Sequence, residues 1–132
     1  MTAFAESARA DGVTLWKAEA GHLRAIATPL EPELAGTRQP LGAGLISQVY
    51  LTGQSILEDD LSSHPAHDPA VDHDTGKTCR TMMAAAVDGG DSGGVVSAVI
   101  FNSSPQRFAF ADLAKLNALA RKLGDKLKEG GW

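Results

Sequence analysis

Two apolar runs, residues 81–87 (TMMAAAV) and 94–101 (GVVSAVIF), limit what this chain can fold into more than any other feature. Successive side chains of an extended strand point to opposite faces. Val95, Ser97, Val99 and Phe101 then line one face of the second run, and Val96, Ala98 and Ile100 line the other. Both faces are largely apolar, so this strand has to be covered on both sides and belongs at the centre of its sheet. The link between the runs, DGGDSG, has the composition of a hairpin loop. Met82, Met83 and the three alanines after them suit close helix packing, or leave room for a cavity.

The rest of the chain supplies the covering layers. Residues 2–10 (TAFAESARA) suit a short helix with Phe4 and Ala8 on one face, ended by Asp11-Gly12. Residues 12–21 read as a strand, and Gly21-His22 turns the chain into a second strand over 23–30. Pro29, Pro32, Gly36 and Pro40 punctuate the segment that follows, which is expected to be irregular. Leu45, Ile46, Val49 and Tyr50 make a helical stripe over 45–51 that Gly53 terminates, and 54–57 is a short strand. Residues 109–129 give the clearest helix. Its Leu113, Leu116, Ala120, Leu123 and Leu127 repeat at alternating spacings of 3 and 4, and Leu119 widens the seam. Such a seam serves a helix packed on the sheet, or one shared between the sheet and a homodimer interface. The order of elements predicts a single α+β domain over 1–132 around a mostly antiparallel sheet.

At 132 residues the chain is long enough to bury a real core, and 43% hydrophobic with 21% charged residues is ordinary for a soluble domain. A formal charge of −4 argues against nucleic-acid binding, which needs a basic surface. The charge is uneven: residues 107–128 hold six basic and two acidic residues, a local +4 that leaves −8 elsewhere. That stretch is a solvated helix face, or an electrostatic dock for an acidic partner or a neighbouring domain. Cys79 is the only cysteine, which excludes an intrachain disulfide. No apolar run approaches a membrane span, and the N-terminus lacks the basic start and apolar middle of a signal peptide. A cytoplasmic location with no membrane partner is expected.

Chemically versatile side chains concentrate in residues 58–80, a segment longer than ordinary connections. His64, His67, Asp68, Asp72, His73 and Asp74 are metal-ligand types, but His64-Pro65 and Asp68-Pro69 interrupt them. No metal site is expected. Gly42-Ala43-Gly44 leads into a helix N-terminus, where backbone amides favour an anion. It lacks the third glycine of a dinucleotide loop and the Gly-Lys-Ser/Thr of a phosphate loop, and reads as a tight turn. Cys79 has no resolving partner, and Ser62 or Ser63 with His64 and Asp60 lack a nucleophile elbow. No catalytic residue and no enzyme activity are expected.

With these residues in place, the chain resembles the GAF domain family over nearly its whole length. The likeness rests on 40–45 (PLGAGL), 49–54 (VYLTGQ), 58–61 (EDDL), 67–69 (HDP), 72–76 (DHDTG) and 78–83 (TCRTMM), in family-like order. Phe108 with Asp112-Leu113 at the start of the last helix completes it. The resemblance implies a small sensory domain, related to PAS domains, with a central antiparallel sheet of about five to six strands. The N- and C-terminal helices would lie on one face, and a helix with the long loop on the other. It also implies a pocket between the sheet and residues 57–81, with Asp60, His67, Asp72, Thr75, Thr78, Arg80 and Asn102 as ligand contacts. Arg80 could pair bidentately with a phosphate or carboxylate.

Cyclic-nucleotide binders of the family often carry an Asn-Lys…Phe-x-x-x-Asp-Glu signature. Here Asn102, Phe108 and Asp112 stand in place, but Ser103 and Leu113 replace the lysine and glutamate, so the signature is incomplete. Arg80 rather than histidine follows Cys79, so no covalent bilin is expected. One cysteine does not complete the cycle of the GAF-type free methionine sulfoxide reductases. The expected function is a sensor that binds a small polar or anionic ligand under the 58–80 loop and signals through its terminal helices. The alternative is a ligand-free dimerisation or protein-interaction module that uses the C-terminal helix. In either case the chain would stand alone or form part of a larger sensor.

Overall fold

The central hairpin runs longer than its apolar cores. In a computed structural model, which describes residues 2–30, 32–42, 44–58, 79–89, 92–101 and 108–129, the two strands reach from Cys79 to Gly89 (β5) and from Ser92 to Phe101 (β6). They pair antiparallel from Cys79↔Phe101 to Gly89↔Ser92. The other elements are α1 (Thr2–Ala8), β1 (Gly12–Glu19), β2 (His22–Ala27), a 3-10 turn (Pro32–Leu34), β3 (Arg38–Pro40), α2 (Leu45–Thr52), β4 (Ile56–Glu58) and α3 (Phe110–Lys128). Among the described residues, six strands form one open sheet in the order β3-β2-β1-β6-β5-β4, with every neighbour antiparallel.

Strand alternation divides the core into two layers, as the two-sided apolar pattern requires. Val96, Ala98 and Ile100 of β6 join Met83, Ala85 and Val87 of β5 and Val13 and Leu15 of β1 under α1 and α3. Val95 and Val99, with Met82, Ala84, Trp16 and Leu23, meet Leu45, Ile46 and Val49 of α2 on the other side. The terminal helices therefore share one face and α2 takes the other.

Two expectations change. Residues 38–40, expected to be irregular, form the edge strand β3, paired through Leu23↔Gln39 and Arg24↔Arg38. Pro40 lacks an N–H, which an edge position tolerates, and its carbonyl accepts the Ser47 hydroxyl at 2.8 Å, tying α2 to that edge. The second change concerns the seam offered as a dimer interface. Leu116, Ala120, Leu123 and Leu127 are buried against the chain's own sheet, with Leu113 partly buried beside them. A helix that covers an apolar sheet face has to spend its widest apolar stripe there, so a second copy cannot reach these side chains while α3 stays docked.

Helix ends follow local chemistry. Gly53 closes α2 in the left-handed conformation (φ 73°), its N–H donating to the Val49 carbonyl at 2.8 Å. At the start of α3, the Asp112 carboxylate accepts the Ala109 backbone N–H at 2.8 Å. Asp112, the aspartate of the incomplete nucleotide signature, thus caps its own helix.

At the β1–β2 turn, the Glu19 carboxylate accepts from Arg24 Nε at 2.9 Å and lies 3.2 Å from His22 Nε2. The Arg24 hydrogen bond, opposed by desolvation and aided by His22, holds the Glu19 carboxyl below its ordinary value. A depressed carboxylate pKa stabilises the fold above the unfolded-state value, and that contribution fades as pH falls through the folded one. An NMR titration should therefore give a lower Glu19 midpoint in the native chain than in Arg24→Ala. Equal midpoints would mean that the pair does not persist in solution.

Candidate functional site

The α2 side of the sheet buries polar as well as apolar side chains. Thr14, Trp16 and Ser97 place polar groups within its apolar surface, as does Gln39 opposite Leu23. Thr14 and Ser97 are cross-strand partners on β1 and β6, both buried. Trp16, two residues along β1, reaches diagonally so that its indole Nε1–H donates to Ser97 Oγ at 3.1 Å. A buried indole N–H without an acceptor would carry a desolvation penalty, and Ser97 supplies that acceptor from the middle of an otherwise apolar strand. Met82 and Ala84 of β5 flank the pair on the same face, and Leu45, Ile46 and Val49 roof one side of it.

Only part of the sequence-derived ligand set can be placed. Asp60, His67, Asp72, Thr75, Thr78 and Asn102 lie outside the described residues, as do His64 and His73. Arg80 belongs to β5, where the register shifts between Cys79 and Thr81, and its side chain is outside the description. β4 and the start of β5 bring both ends of the 59–78 segment to the same edge of the sheet, through Glu58↔Met82. Sequence reasoning overlooked Thr14, Trp16 and Ser97. The available signal was hydroxyls at matching positions in two strongly apolar strands. At the head of α2, Gly44 adopts φ 85°, a backbone conformation that glycine alone enters without strain.

Described residues line surface depressions on both faces. One of about 310 Å³ lies along the outer side of α2, between Leu41, Gly44, Ser47 and the exposed Leu51. The larger, about 630 Å³, runs between α3 and the β4–β5 edge on the opposite face of the sheet. There Ser55 Oγ donates to Asn117 Oδ1 at 2.5 Å, joining the α2–β4 connection to the C-terminal helix.

The architecture defines an α+β domain whose open antiparallel sheet has the terminal helices on one face and a short helix on the other. That is the GAF fold, and solved structures match it nearly end to end. The GAF domain of a phosphoenolpyruvate-protein phosphotransferase from Coxiella burnetii is similar with a TM-score of 0.79 at 22% identity, over 99% of this chain and 82% of that one. The equivalent domain from Acinetobacter gives 0.77 at 18% identity, over 96% and 76%. A free methionine-R-sulfoxide reductase from Neisseria meningitidis, solved with its substrate, gives 0.72 at 22% identity, over 97% and 72%. Most of these similar structures are GAF domains, and the reductase shows the same fold in an enzyme. No protein-family model and no curated protein sequence matches the chain. None of the described helices is long and apolar enough to cross a membrane.

Proposed function

We propose that the chain is a sensory or regulatory GAF-like domain that binds a small polar or anionic ligand between the α2 side of its sheet and residues 58–80. The observation that carries this reading is the buried polar group of Thr14, Ser97 and Trp16 on that sheet face. It gives an otherwise apolar floor a few fixed hydrogen-bonding positions, the usual make-up of a ligand site. Arg80 is the anion contact in this proposal, and Asp60, His67, Asp72, Thr75, Thr78 and Asn102 contribute the remaining polar contacts. Binding would fix the 58–80 segment against β4 and β5, and α3 would report the change, since it packs on β5 and is hydrogen-bonded to Ser55. The single cysteine, Cys79, sets the chain apart from a thiol-cycling reductase of the same fold. The proposal is of a binding module that acts inside the cell, without covalent bilin and without catalysis.

The test is a thermal-shift panel of carboxylates, phosphates and cyclic nucleotides, preceded by native mass spectrometry of freshly purified protein. A ligand held by the native state raises the melting temperature by an amount that grows with its concentration. The shift should disappear in Arg80→Ala. A flat panel with no co-purified ligand would favour the second reading, a module that works by self-association. The exposed outer side of α3 supports that reading: Phe110 is 80% exposed and neighbours the exposed Ala111 and Ala114. A homodimer in this proposal uses that outer side.

A further inference from the structure

We propose that the sheet binds a short chain of phosphate groups across a row formed by Lys17, Arg24 and Arg38, on the face away from α2. The inference concerns the face opposite the α2-side pocket and stands whether or not a ligand binds there. Register, charge and spacing support it.

The register builds the row. Lys17 of β1 pairs with Arg24 of β2, and Arg24 pairs in turn with Arg38 of β3. Directly opposed residues of antiparallel strands project to the same face of the sheet. Trp16 and Leu23, their immediate neighbours in the chain, belong to the α2 layer. Strand alternation therefore turns the three basic residues to the other face, the one that α1 and α3 cover nearer the centre of the sheet. At this margin Lys17 and Arg24 are half-buried and Arg38 is exposed. Three basic side chains thus stand in one line across β1, β2 and β3.

The charge of the row is uncompensated. Like charges directly opposite one another destabilise a sheet, and here two such pairs follow in succession. The acid beside them is Glu19, whose carboxylate accepts from Arg24 Nε at 2.9 Å. One carboxylate against three basic groups leaves a formal +2 at this margin, in a chain whose formal charge is −4. The Glu19 contact engages Nε of Arg24, and the two terminal nitrogens of the guanidinium carry four further N–H donors. An anion laid across the row offsets the repulsion and accepts charge-assisted hydrogen bonds from all three side chains.

Spacing selects the kind of anion. Neighbouring strands lie about 4.8 Å apart, so the row covers about 10 Å with one positive charge on each strand. Acidic side chains on one side of an extended peptide recur about every 7 Å, wider than the row. Phosphates joined through a shared oxygen follow one another more closely and carry charge on every group. The planar arginine fork also matches phosphate oxygens.

The test uses the full chain labelled with nitrogen-15, with inorganic tripolyphosphate as probe in low salt and sulfate at matched ionic strength as control. Tripolyphosphate should shift the amides of Lys17, Glu19, Arg24 and Arg38 and raise the melting temperature, and sulfate should do neither. The double variant Lys17→Gln with Arg38→Gln should weaken tripolyphosphate binding about tenfold. Without the anion, that variant should melt no lower than the parent, because it removes facing like charges. A nucleoside triphosphate run in parallel separates two sources of such a chain. Equal affinity assigns recognition to the phosphates alone, and tighter binding adds a base contact to them. Shifts confined to the α2 side or to Lys122, Lys126 and Lys128 of α3 would overturn the proposal. So would an equal response to sulfate, unchanged binding in the double variant, a less stable double variant, or no shift at all.

Discussion

Replacing Gly94 by alanine should destabilise the domain by about 3 kcal/mol or more and lower its melting temperature by roughly 10 °C. A Cβ at this position would overlap the carbonyl oxygen of Trp16, and would lie 2.9 Å from the carbonyl carbon of Trp16 and 3.2 Å from Lys17 Cα. Every one of these atoms is backbone, so no side chain can rotate away to relieve the overlap. Relief requires β1 to move off β6, which gives up the register at Trp16↔Val95 and Lys17↔Gly94 in the middle of the sheet. It also disturbs the indole that donates to Ser97. Two other glycines calibrate the result. Gly53→Ala meets open space but must hold φ near 73°, a cost of about 1 kcal/mol. Gly93→Ala places its Cβ 3.3 Å from the Val87 carbonyl oxygen and 3.7 Å from Tyr50 Cε1, a tight contact without gross overlap. Urea unfolding of the three variants should rank Gly94→Ala far below the others. A Gly94→Ala midpoint equal to that of Gly53→Ala would contradict the close approach of β1 and β6.

How much of this was legible beforehand varies with how local the determinant is. The two-sided apolar pattern of β6 and the seam of α3 are local and periodic, so their elements and burial follow directly from residue order. β3 escapes notice because Pro40 and the prolines before it signal irregularity, and only the pairing offered by β2 makes three residues extended. The purpose of the α3 seam was ambiguous for a different reason. The same spacing buries a helix on a sheet or on a second helix, and only the sheet's position decides between them. Gly94 reads simply as the first residue of the second apolar run, whereas its role depends on a neighbouring strand some eighty residues earlier in the chain. In the candidate site, the titratable residues of 58–80 drew attention because their chemistry is conspicuous. Thr14, Trp16 and Ser97 did not, since a hydroxyl within an apolar run gains meaning only when its cross-strand partner is known. Phe110 carries the converse lesson. An aromatic at the head of an amphipathic helix suggests burial, yet it falls off the seam and faces outward.

Leu116→Asp should unfold the domain rather than release a folded monomer. The Leu116 side chain is fully buried among the β-strand residues that α3 covers. Truncation to alanine alone should cost about 2–5 kcal/mol through lost burial and the cavity left behind. An aspartate adds a carboxylate with no partner in an apolar layer, a further penalty that a domain of ordinary marginal stability does not survive. Gly124→Ala attacks the same junction from the other side, by forcing α3 off the Asp88 backbone. It should destabilise without adding charge. Phe110→Ser, on the outer side of the helix, should leave stability within about 0.5 kcal/mol of the parent. The two sides of α3 are therefore separable by experiment. Circular dichroism and sedimentation on the same samples should find Leu116→Asp unfolded or aggregated. If the chain self-associates through its outer side, they should find Phe110→Ser folded and dissociated. A Leu116→Asp protein that keeps its fold and merely changes oligomeric state would return the seam to the interface between copies, and the sheet beneath α3 would then need another cover.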